Sequence, residues 1–353
     1  MPSVKLMIID DSLFFRTFLN RRLSAEPDIE IVGSFADPVE AAGNIPVLRP
    51  DVIALDMEMP KMRGNEFLRT VLPKYPKIRA VVISALSGNV FDAMQAGAID
   101  FIGKPGSQQG YSEDIFIADI VQKIKVAYTA HTRPAAAFSA ALKTAPVMPS
   151  APPMRQAVSG ATSSSIIAIG ASTGGTEAII EVIKRFPADT PGVVIVQHMP
   201  PVFTKMYAER VDKICAMSVR EALNGDRVGR GTILIAPGGD QQMYVRQDAS
   251  GYYVYLTQGA KVSGHCPSVD VLFESVAKIA GRNAVGVLLT GMGSDGARGL
   301  TEMKRAGAYT FGQDEESCVV YGMPMVAFNM GGVSEQLPLT SIGDAVLRRF
   351  SGR

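Results

Sequence analysis

Ser165-Ile166-Ile167-Ala168-Ile169 runs into Gly170-Ala171-Ser172-Thr173-Gly174-Gly175, and Glu177-Ala178-Ile179-Ile180-Glu181-Val182-Ile183-Lys184-Arg185-Phe186 follows. An apolar β-branched run, a glycine turn and a helical periodicity read as strand, sharp reversal, helix. In that context a G-x-S-x-G match carries meaning, because the turn lifts Ser172 clear of the sheet. The helix start behind it supplies N–H groups suited to a developing oxyanion. A phosphate-binding or purely structural glycine turn fits this stretch equally well, so the rest of the chain has to decide.

Outward from that turn, Gly192–Val196 is a buried strand ending at Gln197-His198-Met199-Pro200. Thr232–Ala236 is another, ending at Pro237-Gly238-Gly239-Asp240. Met243–Arg246 and Tyr252–Thr257 form a hairpin across Gly251, and Val269–Ile279 is helical. Ala284–Leu289 is a strand ending at Thr290-Gly291-Met292-Gly293-Ser294-Asp295, with helix, strand and helix after it. The region from residue 165 to 353 is therefore a doubly wound α/β unit with a predominantly parallel sheet and some antiparallel additions. Ser172, His198 and Asp295 each follow a buried strand, which places them at one sheet edge. A serine needs a neighbouring base to become nucleophilic, and the base needs a carboxylate to fix its tautomer. The order Ser…His…Asp differs from that of α/β-hydrolases, but triads are defined by geometry. Asp240 is a rival for Asp295, whose glycine-rich loop can come closer to Ser172. His265, in Ser263-Gly264-His265-Cys266-Pro267, sits in a loop and either binds substrate or caps the next helix. A dinucleotide or P-loop reading of the turn is weak, since Gly170-x-x-x-Gly174-Gly175 is not G-x-G-x-x-G, no G-K-[ST] follows and no acidic residue ends the next strand.

The first 128 residues carry five apolar strands alternating with helices: Val4–Ile9, Ile29–Phe35, Asp51–Leu55, Ala80–Ile83 and Ile99–Ile102. This is a second parallel, doubly wound sheet of (βα)5 type. The carboxyl edge collects Asp10, Asp11, Asp56, Ser84 and Lys104. Three carboxylates repel unless a cation sits among them, and all-oxygen donors favour Mg²⁺. A lysine and a hydroxyl at the same edge can hold phosphoryl oxygens. Ordinary polar strand caps would rarely assemble this set at four strand ends.

At 353 residues the chain suggests two domains, and its 47% apolar and 20% charged content is that of a globular protein. A net charge of +1 gives no case for nucleic acid, and there is no basic recognition helix. No signal segment and no bilayer-length apolar run is present, so direct membrane insertion is not expected. Cys215, Cys266 and Cys318 are widely spaced and read as reduced thiols of a cytoplasmic protein. Residues 129–164, rich in Ala, Pro, Ser and Thr, read as a semi-flexible linker, with His131 exposed at its start.

The Asp10-Asp11 pair, Asp56-Met57-Glu58-Met59-Pro60, Ser84-Ala85 and Lys104-Pro105 resemble the receiver domain of two-component response regulators, a flavodoxin-like fold. That resemblance implies a phosphoryl group accepted by Asp56 from a chemotaxis histidine kinase. It also implies Mg²⁺ on Asp10, Asp11 and Asp56, contacts from Lys104 and Ser84, and Phe101 as an aromatic switch that swings in when Ser84 moves. Gly170 to Glu177, Gln197-His198-Met199-Pro200, Pro267-Ser268-Val269-Asp270, Leu289 to Ala297 and Val319 to Pro324 resemble the catalytic domain of chemotaxis protein-glutamate methylesterases, the CheB family. The resemblance implies Ser172 as nucleophile, His198 as general base and acid, Asp295 as its orienting carboxylate, and the N–H groups of Thr173 and Met292 as oxyanion donors. It implies demethylation, and deamidation, of chemoreceptors, with no cofactor in the esterase reaction and a receiver that limits access to Ser172 until phosphorylated. Where that family often carries a histidine after the Ala236-Pro237-Gly238 turn, this chain has Gln241-Gln242. The alternative is a non-enzymatic response regulator that binds a partner or anion at the Gly170–Gly175 turn.

Overall fold

The computed structural model describes residues 3–85, 90–105, 112–130 and 164–350. Most of the expected linker, His131 included, lies outside them. The chain divides into two compact units, Met1–Val147 and Met148–Arg353.

In the first unit β1 (Val4–Ile9), β2 (Ile29–Phe35), β3 (Val52–Asp56), β4 (Arg79–Ser84) and β5 (Asp100–Gly103) form one sheet in the order β2-β1-β3-β4-β5. Every pairing is parallel. β1, β3 and β4 are almost continuously buried, as strands covered on both faces must be. The strand order reverses between β1 and β3, which opens a crevice at their carboxyl ends. Asp10 and Asp56 stand at that crevice. The helix Leu13–Leu23 starts there too, its first turn held by Ser12 Oγ accepting from Phe15 N at 3.3 Å.

The second unit is built on seven strands: β6 (Ile166–Ala171), β7 (Gly192–Gln197), β8 (Ser218–Glu221), β9 (Thr232–Ile235), β12 (Ala284–Leu288), β13 (Tyr309–Gln313) and β14 (Glu335–Leu337), with β10 (Gln241–Asp248) and β11 (Gly251–Gln258) between β9 and β12 in the chain. Their order is β14-β13-β12-β6-β7-β9-β8, parallel throughout. Among the named strands of the described residues, antiparallel pairing joins β10 and β11, which form a separate two-stranded sheet rather than additions to the main one. Strand ends differ from the sequence reading by a residue or two; β6 runs on to Ala171, and the following helix is Gly175–Ile183 rather than one starting at Glu177.

β6 and β7 are buried along their whole length. The core above them gathers Val269, Leu272, Phe273 and Val276 of the helix Val269–Ala280 against Val194, Val196, Met243 and Leu288. β6 is the pivot, with β7 on one side and β12 on the other, so segments far apart in the chain end side by side.

Candidate active site

The Ser172 turn depends on Gly174, which caps the helix Gly175–Ile183 in a left-handed conformation, φ 76°. A Cβ there would lie 2.6 Å from Val319, so both the backbone and the space call for glycine. Ser172 N donates to Thr290 O at 3.0 Å, and Gly175 N donates back to Ser172 O at 2.7 Å. Thr290 ties the end of β12 to this turn: its hydroxyl reaches Thr173 O at 3.0 Å and Val320 O at 3.2 Å. The Gly291 carbonyl in turn accepts from Gly322 N and Met323 N.

His198 follows β7, and its N–H donates to Ala171 O at 3.2 Å. Its side chain is nearly buried, and Nε2 lies 2.8 Å from Asp295 Oδ2. Nε2 therefore serves the carboxylate, and Nδ1 is left as the nitrogen that could serve a serine. Nδ1 is buried and has no hydrogen-bond partner, so the Ser172 hydroxyl is not bonded to it. The structure thus joins His198 to Asp295 directly and brings Ser172 beside them through the main chain.

Asp295 is fully buried and saturated with donors. Oδ1 accepts from Ser268 Oγ at 2.7 Å and Asp270 N at 3.0 Å; Oδ2 accepts from Val269 N at 2.8 Å. These amides belong to the open first turn of the helix Val269–Ala280, where a negative charge is favoured. Burial opposes ionisation, but the His198 hydrogen bond and charge, with Ser268 and the helix amide, hold the carboxyl below its ordinary value. Asp270 fastens the other side of the loop, its Oδ1 accepting from Gly296 N and Gly299 N at 2.9 and 2.8 Å. The rival Asp240 is exposed and pairs with Gln258 Nε2 at 3.0 Å.

Further contacts surround the His198–Asp295 pair. His265 stacks on His198, ring centroids 3.6 Å apart and planes 8° from parallel. Ser268, not His265, caps the following helix, accepting from Val271 N at 3.4 Å. Gln242 is buried under this loop: Nε2 donates to Ala260 O and His265 O at 3.0 and 3.3 Å, and Oε1 accepts from Ser268 N at 2.8 Å. Of the Gln241-Gln242 pair, Gln242 is thus a scaffold for His265 and Ser268. Only the serine preceding an apolar helical run hinted at a cap. Of the two oxyanion candidates, Thr173 is buried and Met292 is exposed.

In the first unit Lys104 Nζ lies 2.8 Å from both Asp10 Oδ2 and Asp56 Oδ2. Carboxylate oxygens of Asp10, Asp11 and Asp56 lie within 4.8 Å of one another. Burial, with the Asp10 charge adding to it, lifts the Asp56 carboxyl to about 6 despite Lys104. Three carboxylates, Asp10 and Asp56 buried and Asp11 exposed, offer the all-oxygen donor set that a hard divalent cation such as Mg²⁺ takes. Ser84 is fully buried at the end of β4, and Lys104 N donates to its carbonyl at 2.8 Å. Phe101 is already inside, edge-on to Phe91 at 6.0 Å between centroids, so no inward swing is needed to bury it.

The fold and these two clusters define a two-component output protein: a receiver followed by an α/β unit with Ser172, His198 and Asp295 at one sheet edge. Residues 6–115 match the response regulator receiver domain, and residues 167–346 match the CheB methylesterase family. The chain is 51% identical over 345 residues to protein-glutamate methylesterase/protein-glutamine glutaminase 2 of Syntrophomonas wolfei, covering 98% of this chain and 97% of that protein. It is 43% identical to protein-glutamate methylesterase/protein-glutamine glutaminase of Agrobacterium fabrum, covering 99% and 97%. The crystal structure of the Thermotoga maritima CheB methylesterase catalytic domain superposes with a TM-score of 0.51 at 34% identity, covering 52% of this chain and 97% of that one. The chain belongs to the CheB methylesterase family, with an N-terminal receiver domain.

Proposed function

We propose that the second unit hydrolyses glutamate γ-methyl esters on chemoreceptors, and deamidates receptor glutamines, under control of phosphorylation at Asp56. The observation that carries the reading is the His198–Asp295 pair beside Ser172, with His198 Nδ1 left over. Ser172 Oγ attacks the ester carbonyl carbon and its proton passes to Nδ1. The N–H groups of Thr173 and Met292 receive the oxyanion. The tetrahedral intermediate collapses, methanol leaves with the proton from His198, and an acyl-enzyme remains. Water, deprotonated by His198, attacks that acyl group; Ser172 Oγ leaves and regains its proton, and a free glutamate results. For a glutamine the leaving group is ammonia. Asp295 fixes the imidazole through Nε2 and steadies its cation; no cofactor is called for.

In the receiver, Asp10, Asp11 and Asp56 would hold Mg²⁺, which neutralises charge as a phosphoryl group is transferred. Asp56 accepts that group from a chemotaxis histidine kinase, and Lys104 and Ser84 hold its oxygens. Phe101, against Phe91, is the aromatic residue through which the change is felt. Residues 1–128 act as the receiver, 129–164 as a linker and 165–353 as the catalytic domain. Among the described residues no helix is long and apolar enough to cross a membrane; we assign the protein to the cytoplasm, acting on the receptors' cytoplasmic helices. The test is methanol release from methyl-labelled receptor membranes with Mg²⁺, with and without a small-molecule phosphodonor. Release should rise with the donor and vanish in Ser172→Ala. Persistent release from that variant overturns the assignment.

A further inference from the structure

No side-chain hydrogen bond joins Ser172 to His198, because Nδ1 has no partner. The separation of nucleophile and base is therefore set by the main chain on which each stands. One side chain bridges those two stretches. Gln197 closes β7 immediately before His198 and is 3% exposed. Its Nε2 donates to Ser172 O at 2.9 Å and to His198 O at 3.1 Å.

The orientation of this carboxamide is fixed by chemistry. Reversed, its oxygen would face two carbonyl oxygens, and it has no proton to give them. The Oε1 end points at the start of the helix Gly175–Ile183, where a Cβ on Gly175 would lie 2.1 Å away. Gly175 makes the room. Oε1 is nonetheless buried with no hydrogen-bond partner. An unpaired buried acceptor is destabilising, and an apolar side chain of the same length would avoid it. The two bonds from Nε2 offset that cost, and both fall on the stretches that carry Ser172 and His198.

We propose that Gln197 is a positioning residue for the hydrolysis: it ties the carbonyl of Ser172 to that of His198 and so sets the reach from nucleophile to base. This rests on the reading of Ser172 and His198 given above. Displacements of about 1 Å at a reacting centre can cost roughly a hundredfold in rate, and uniform substrate binding is untouched by such a shift.

The experiment uses the full chain and methylated receptor membranes. Gln197→Met keeps length and removes the donor; Gln197→Asn keeps the amide but withdraws it by one methylene. Both should lower kcat roughly ten- to a hundredfold with KM within about twofold. The imidazole N–H proton of His198 held by Asp295 should shift or broaden in the proton spectrum, which three histidines leave simple to assign. If the Met variant does not fold, the Asn variant carries the test. Folded variants with kcat within threefold of wild type and an unmoved His198 signal overturn the proposal, whatever their melting temperatures. A wild-type chain that releases no methanol sinks the reading of Ser172 and this proposal with it; an active wild type with unaltered variants sinks this proposal alone.

Discussion

His265 lies flat against His198, 3.6 Å between ring centroids. The contact covers one face of the His198 ring, while Asp295 grips its edge. The ring is held in place by a narrow turn in which Val262 and His265 exchange backbone hydrogen bonds of 2.9 Å, above the Gln242 amide. Stacked aromatic pairs contribute about 0.5–1.5 kcal/mol beyond their buried area, which is up to about tenfold in rate if the contact persists only in the productive geometry. His265→Ala should therefore lower kcat by up to about tenfold, and His265→Phe, which keeps a flat ring, should recover most of it. An alanine variant as fast as wild type would show that the stack is idle in the reaction.

Asp295→Asn should slow hydrolysis by roughly 10³- to 10⁴-fold, because an amide no longer steadies the imidazolium or its tautomer. It should also lower the melting temperature, since the carboxylate serves the first turn of the helix Val269–Ala280. The pH dependence has a definite sign. The folded carboxyl lies below the unfolded value of about 3.9. Its contribution is complete above that value and is lost as pH falls through the folded one. The gap in melting temperature between wild type and Asp295→Asn should be widest near neutrality and close below about pH 4. A gap that widens on acidification contradicts this.

Gly291 lies against Ser172. A Cβ there would meet Met323 Sδ at 2.3 Å and Ser172 Cβ at 2.8 Å. Gly291→Ala should cost about 1–3 kcal/mol of stability through overpacking and lower kcat by pushing on Ser172. Thermal unfolding and methanol release measured together check it; a variant unchanged in both would mean the loop yields freely.

Removing Mg²⁺ separates the two units chemically. With the cation chelated, a small-molecule phosphodonor should no longer label Asp56, and its stimulation of methanol release should disappear. Basal release, assigned above to Ser172, His198 and Asp295, should stay. Asp56→Asn should reproduce that behaviour with Mg²⁺ present. Loss of basal release on chelation would place a metal requirement in the hydrolase itself.

The ends of the buried strands were legible in the sequence because continuous apolar runs such as Val193–Val196 announce themselves; Ser172, Asp10 and Asp56 follow such runs directly, and His198 follows one residue later. The short strand Ser218–Glu221 and the three-residue Glu335–Leu337 were not, since each carries a single apolar residue and owes its state to a neighbouring strand. The supports of the site were hidden for a related reason. His265, Gln242 and Gln197 act through loop packing and through amides that meet only after folding, and no periodicity encodes such meetings. Met292 and Thr173 stand on the same footing: their N–H groups were named from the motif, and side-chain chemistry gives no signal for a backbone donor.

β6 lies between β7 and β12, although β12 follows it by more than a hundred residues. During synthesis Ser172 and His198 can come together as soon as β7 pairs with β6. Asp295 joins them only when β12 has left the ribosome and inserted on the other flank. The receiver, by contrast, is finished before any of this begins. With the residue roles proposed above, a nascent chain would carry a complete phosphorylation site while its hydrolytic centre still lacks a member, and a chain cut short anywhere before β12 would be able to take a signal with nothing to deliver it to.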